Sequence, residues 1–204
     1  MDKAGPVVRK RTGTVPAGSV DDRRVRRTQE ALIFALIHLV LEKRYDAITI
    51  QDLLDRADVG RSTFYSHFRG KDDLLLKSWE RLLEALDREM DQRREVSESG
   101  PRRVAPVREL FHHVAKMKPF HQALARARML DRIYQGGVNQ LSRTIARRLA
   151  ASPSAKTSGR VPTPVAAQAY AGALVAMLRW WVDHDAPYTP EWMDETYHAI
   201  CRPT

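Results

Sequence analysis

Residues 57–75, ADVGRSTFYSHFRGKDDLL, constrain what this chain can fold into more than any other stretch. They hold a turn at Val59-Gly60, a short helix carrying Arg61, Ser62, Thr63, Tyr65 and His67, a break at Arg69-Gly70 and the start of a new helix at Lys71. Little of the short helix suits a core, yet Phe64 and Phe68 can pin it from behind. Just upstream, Thr49 has the character of an N-cap, and Asp52 stands where a capping box needs its carboxylate. Ile50, Leu53, Leu54 and Ala57 then give a second short helix ending near Asp58. Two short helices across a tight turn make a helix-turn-helix. Ala57 and Gly60 are expected to be small because the helices approach closely there.

The rest of the chain reads as helix. Leu32, Leu36, Leu39 and Val40 lie on one face of a first helix that runs from Arg23 to about Arg44. Leu75, Trp79, Leu82, Leu83, Leu86 and Met90 form one stripe of a long fourth helix. Pro106 and Pro119 suit the first turns of two more. A stripe from Leu130 to Leu149 crosses Gly136-Gly137, where a weakness or kink is expected. Residues 152–164 read as a loop; Tyr170, Leu174, Met177, Leu178 and Trp181 mark an eighth helix, and a last one runs from about Glu191 to Ile200. No strand pattern occurs, so the expected fold is all-α with about nine helices. Residues 1–22 read as a disordered basic arm, 23–70 as the helix-turn-helix domain, and 71–204 as a helical second domain that includes a connecting helix at 71–94.

The chain of 204 residues has a formal charge of +9, which favours an anionic partner. The single cysteine, Cys201, rules out an intramolecular disulfide and fits a reducing compartment. The apolar run at 31–41 is too short to span a bilayer, and residues 1–27 contain no signal-peptide core. A cytoplasmic location is expected. His112, His113 and His121 lack the spacing of a metal site, so neither metal nor cofactor is expected. No nucleophile elbow, phosphate loop or carboxylate pair stands out, so neither is enzymatic activity.

A helix-turn-helix presents the N-terminal residues of its second helix to the major groove. Arg61 suits guanine or phosphate, Ser62 and Thr63 suit either, and the Thr63 methyl can meet a thymine methyl. Tyr65 and His67 fit contacts to the DNA backbone. Lys71, a cation at a helix N-terminus, suits a phosphate. TIQDLLDRADVGRSTFYSHFRGKDDLL resembles the N-terminal domain of TetR/AcrR-type bacterial transcriptional regulators, over roughly residues 26–75. The resemblance implies that the third helix, with Arg61, Ser62, Thr63, Tyr65, Ser66 and His67, enters the major groove of a double-stranded operator. It also implies phosphate contacts from Thr49 and Lys71. Gly60 departs from the serine often found there, so no side-chain role falls to it.

The second half carries no comparably specific motif. By resemblance it senses a ligand and dimerises. Ala169, Ala173 and Ala176 permit close approach of a partner helix, with Trp181 and Trp192 as large anchors beside Trp180. A pocket between helices five and eight is expected to draw on Phe111, Met117, Phe120, Met129, Ile133, Tyr134 and Trp180. The resulting expectation is a homodimeric repressor released from a palindrome by an unidentified small molecule. The alternatives are an activator or ligand-independent regulator of the same fold, or a basic helical protein that binds RNA or anionic membrane. The arm at 1–27 has almost no apolar face, which disfavours the membrane.

Overall fold

Apolar side chains at helical spacing dominate the chain, and each stripe must be buried against another helix. The computed structural model describes residues 18–96, 103–151 and 161–201. Nine α-helices occur among them: α1 (Gly18–Glu42), α2 (Ile50–Ala57), α3 (Arg61–His67), α4 (Lys71–Val96), α5 (Val107–Lys116), α6 (Lys118–Arg126), α7 (Leu130–Ala150), α8 (Thr163–Asp183) and α9 (Pro190–Ile200). A 3-10 turn at Tyr45–Ala47 joins α1 to α2. No strand occurs among the described residues.

Most boundaries fall within two residues of the sequence-based expectation, with one clear difference. Helix α1 opens at Gly18, so the segment expected to be disordered through residue 22 is helical in its last five positions. No proline or glycine stands between Ser19 and Glu42, so nothing stops the helix from growing backwards. The rest of the expected arm, residues 1–17, lies outside the described residues, as does most of the expected loop at 152–164. Its last two positions already belong to α8.

The expected weakness at Gly136-Gly137 is also absent: α7 runs unbroken through both glycines. Gly137 has a packing role instead. A Cβ there would lie 2.6 Å from Trp79 Nε1 of α4, so only glycine lets α4 and α7 close to this distance. Ion pairs fasten the same seam, with Arg148 on Asp87 and, at 2.8 Å, on Asp91. One apolar core runs through the molecule, from Leu32, Leu36, Phe64 and Phe68 to Leu110, Phe111, Trp181 and Tyr197. Helix α1 packs on α2, α4 and α6; α7 packs on α8 and α4; α5 packs on α9. The N-terminal helices therefore rest directly on the second half.

Candidate nucleic-acid interface

The capping box expected at the start of α2 is formed. Thr49 Oγ1 accepts the Asp52 amide at 3.1 Å, and Asp52 Oδ2 accepts the Thr49 amide at 2.7 Å. Lys43 at 2.7 Å, reinforced by Thr49, holds the Asp52 carboxyl well below the usual carboxylate range. The Thr49 hydroxyl also donates to Asp52 at 2.8 Å, so both donors of Thr49 are engaged within the fold. A phosphate reaching Thr49 would have to displace Asp52. At the other end of α2, Arg56 forms a two-pronged bond to Glu42 at 2.5 and 2.7 Å, clamping α2 to α1. Asp58 ends the helix in the left-handed conformation at φ 51°, which a short polar side chain tolerates.

Gly60 then caps α3 with φ −66°, a conformation open to any residue. A Cβ there would meet only Thr63 Oγ1, at 3.9 Å. The turn therefore does not require glycine, contrary to the close approach expected from the sequence. Helix α3 is braced from behind by Phe64 and Phe68, both buried, with ring centroids 5.8 Å apart. Its outer face presents Arg61, Ser62, Tyr65 and Ser66, all exposed, with Thr63 and His67 half-buried beside them. The alternation is what a seven-residue helix must give with Phe64 buried in its middle and Phe68 buried at its C-cap. Arg61 Nη2 donates to Gln51 Oε1 at 2.8 Å, so its guanidinium lies across the start of α2. Ser66 Oγ donates to the Thr63 carbonyl at 2.7 Å. Gln51, which the sequence reading passed over, thus belongs to this face; a glutamine one residue inside a capped helix carries no recognisable signal.

Lys71 departs from its expected role. Its ammonium turns inward and donates to the carbonyls of Tyr45, Ile48 and Asp46 at 2.8, 2.9 and 3.2 Å, 4.7 Å from the centre of the Tyr45 ring. All three of its donors are thereby used. Lys71 fastens the start of α4 to the turn before α2, where three carbonyl oxygens converge. Tyr45 strengthens the same corner: its hydroxyl donates to Asp72 at 2.7 Å, and burial together with that bond raises its pKa. At the far end of α3, Lys77 donates to the His67 carbonyl at 2.9 Å and lies over the Phe68 ring.

The residues expected to wall a ligand pocket do not share one place. Met117, Phe120 and Ile133 line a cavity of about 710 Å³ between α1, α4 and the corner of α5 and α6. Phe111, Met129 and Tyr134 are core residues outside it, and Trp180 lies on the surface, stacked on His184 with centroids 4.6 Å apart. The cavity therefore sits against α1 and not between helices five and eight. His121, at its wall, is buried, and desolvation lowers its pKa to about 3. The expected partner-facing residues divide as well. Ala169, Ala176 and Trp192 are exposed and Ala173 is half-buried, but Trp181 is a core residue, packed on Phe111 and donating to the Tyr188 carbonyl at 2.9 Å. Adjacent tryptophans on a helix point about 100° apart, and only one of them can face out. Burial raises the pKa of Cys201. Among the described residues, no group of three or more His, Cys, Asp or Glu side chains is placed to hold a metal ion. Nor is any helix among them long and apolar enough to cross a membrane.

A capped helix, a three-residue turn and a second helix braced by buried rings with an exposed polar face define a helix-turn-helix protein, here joined to a larger helical half. Residues 32–77 match the bacterial regulatory proteins of the tetR family. The HTH-type transcriptional regulator YxbF of Bacillus subtilis (strain 168) is 46% identical over 55 residues, 26% of this chain, and the chain spans only 14% of that relative's length. A TetR transcriptional regulator from Streptococcus agalactiae 2603V aligns over 91% of this chain and 99% of its own, with 25% identity and a TM-score of 0.53. The fatty acid degradation regulator FadR from Bacillus halodurans shares the fold over 84% of this chain and 96% of its own, with 16% identity and a TM-score of 0.58. Residues 32–77 thus match the DNA-binding domain of the tetR family, and the chain shares its fold with a TetR transcriptional regulator over 91% of its length.

Proposed function

We propose that this protein is a cytoplasmic, sequence-specific DNA-binding regulator of transcription, working as a homodimeric repressor that leaves a palindromic operator when a small molecule binds. The observation that carries the reading is the face of α3: Arg61, Ser62, Tyr65 and Ser66 stand in solvent while Phe64 and Phe68 hold the helix rigid from behind. In the major groove, Arg61 reads a base edge together with Gln51, and Ser62 and Thr63 read its neighbours. Tyr65, Ser66 and His67 bond the DNA backbone. Thr49 contributes only where a phosphate replaces Asp52. Lys71 acts by positioning the start of α2.

One short helix has limited affinity, and two-fold pairing of half-sites about 34–36 Å apart answers that limit. The paired surface in this reading is the outer face of α8 and α9. Val165, Ala169, Ala176 and Trp192 are exposed there, and Trp180, Tyr188 and Trp192 form a stacked aromatic row with centroids 6.1 and 4.0 Å apart. Exposed apolar patches of this kind mark contact surfaces.

DNA fragments selected from genomic DNA by the full chain supply the operator for a gel-shift test at fixed salt. Arg61→Ala is expected to lose about 10- to 100-fold in affinity for the operator and far less for a scrambled duplex. Tyr65→Ala is expected to lose affinity on both. Wild-type binding by both variants would remove α3 from the groove, and equal losses on the two duplexes would make Arg61 a phosphate contact. In sedimentation, Trp192→Glu is expected to yield monomers, and an unchanged dimer would move the interface elsewhere.

A further inference from the structure

The cavity of about 710 Å³ has apolar walls drawn from both halves of the molecule: Ile33 and Leu36 of α1, Leu75 and Leu82 of α4, and Met117 and Phe120 at the start of α6. Two buried polar side chains interrupt that wall from within, while the charged lining residues Arg26, Glu30, Arg81, Glu84 and Arg88 are exposed. His121 is only 3% exposed, and neither of its ring nitrogens has a hydrogen-bond partner in the protein. Its neighbours are ring edges: Phe120 at 5.6 Å, Trp79 at 6.0 Å and His113 at 6.4 Å between centroids. Gln29, 8% exposed on α1, leaves its Oε1 equally unpartnered. A buried polar atom without a partner is rare; Trp79 Nε1 of the same lining is another, turned toward Gly137 of α7, and the three on His121 and Gln29 ask for a common explanation.

The chemistry of these atoms narrows what would satisfy them. A neutral imidazole offers one N–H donor and one bare nitrogen acceptor, and Gln29 Oε1 is a second acceptor. A carboxylate can only accept. It could take the imidazole N–H or pair with the exposed Arg26, Arg81 or Arg88 of the lining, but it would leave the bare imidazole nitrogen and Gln29 Oε1 unsatisfied. An ammonium can only donate, and it would bring a charge into an apolar cavity whose carboxylates, Glu30 and Glu84, stand out in solvent. A hydroxyl donates and accepts through one atom. We propose that the cavity between α1, α4 and the α5–α6 corner binds a compact, largely apolar molecule bearing a hydroxyl, held by His121 and Gln29. The volume suits a small organic ligand. Such a ligand touches α1 of the DNA-reading half and α6 of the other half at once. As the effector of the proposed repressor it would set the angle between them, and only that consequence rests on the repressor reading.

The test uses the full chain and two probes of matched size, 2-naphthol and 2-methylnaphthalene, titrated by calorimetry. The wild type is expected to bind 2-naphthol about tenfold more tightly than the hydrocarbon, the difference made by a buried hydrogen bond. His121→Phe is expected to erase that preference while keeping hydrocarbon binding. Gln29→Leu, a milder change on a different helix, is expected to reduce it if His121→Phe does not fold. Ile33→Trp fills the cavity from α1 and is expected to bind neither probe. Equal affinities in the wild type, a preference that survives both His121→Phe and Gln29→Leu, or probe binding untouched by Ile33→Trp would each overturn the proposal. Saturating 2-naphthol that binds as expected yet leaves operator affinity unchanged would support the site and count against ligand release alone.

Discussion

Replacing Lys71 with methionine keeps the aliphatic stem and deletes the ammonium, which separates a positioning role from a phosphate contact. The ammonium holds the part-buried carbonyls of Tyr45 and Ile48 at 2.8 and 2.9 Å, the exposed carbonyl of Asp46 at 3.2 Å, and sits 4.7 Å from the Tyr45 ring centre. Each part-buried bond is worth about 1 kcal/mol net, and the exposed one little, because water replaces it. The cation over the ring contributes about 0.5–1 kcal/mol. Lys71→Met is therefore expected to cost about 2–3 kcal/mol, a fall of roughly 4–12 °C in Tm for a chain of this size. Circular-dichroism melts measure that fall. Operator affinity drops with it, because the turn that carries Thr49 and α2 loses its anchor. The dependence of affinity on salt stays unchanged, since no phosphate loses a counter-charge. An unaltered Tm together with a salt slope lowered by about 1 would show that Lys71 leaves the carbonyls for a phosphate, and would refute the positioning role.

Gly137→Ala places a Cβ 2.6 Å from the Trp79 indole nitrogen, and such overpacking is expected to cost about 1–3 kcal/mol in thermal or urea unfolding; no loss would mean that α4 and α7 separate freely. Gly60→Ser meets only Thr63 Oγ1 at 3.9 Å and supplies the missing cap, so it is expected to raise stability by about 0.5 kcal/mol. A lower Tm would reveal a constraint at the turn that the backbone angles do not contain. His121 stays neutral in the fold down to pH about 3, and burial lowers His113 as well, whereas unfolded histidine takes up a proton near pH 6.5. A depressed histidine stabilises the fold fully above the unfolded value and progressively less below it. Stability is thus expected to fall by about 2 kcal/mol between pH 7 and 5, a slope that His121→Leu flattens and that an unchanged slope in that variant would contradict.

The helix-turn-helix could be read from the sequence because its signals are local. Thr49 and Asp52 are three residues apart, and Phe64 and Phe68 are four apart at the end of one short helix, so each device is local in sequence. Signals that depend on distant partners were not readable. Lys71 has a long flexible stem, and nothing near it in sequence tells that its acceptors are the carbonyls of residues 45–48. Trp180 and Trp181 look alike in a helix that is apolar nearly all round, and only the packing of Phe111 and Tyr188 decides which is core. The cavity draws its walls from α1 and α6, about ninety residues apart, so no window along the chain contains it. The doubled glycine misled for the opposite reason: Gly137 is a weakness by propensity, and a tertiary neighbour, Trp79, turns it into a fit.

These contacts give the joint between the two halves a stiff side and a compliant one. On the α4 side, polar contacts tie the helix to α7 along much of its length: Arg132 to Asp72 at 2.5 Å, Gln140 to the Glu80 carbonyl at 3.0 Å, and Arg148 to Asp87 and Asp91. Asp72 in turn holds Tyr45, and Lys71 holds the carbonyls beside it, so the start of α2 follows α4 rigidly. On the α1 side, α1 packs on α6, but beside that contact lies a cavity whose wall contains the unpartnered His121 ring nitrogens and Gln29 Oε1. Close packing resists deformation, whereas a gap forfeits the contacts that would resist it. In the proposed repressor, a movement of the helix-turn-helix relative to the outer face of α8 and α9 therefore costs least as a rotation about the α4–α7 seam that opens or closes the α1–α6 gap. The ligand proposed for that cavity would act on this joint directly.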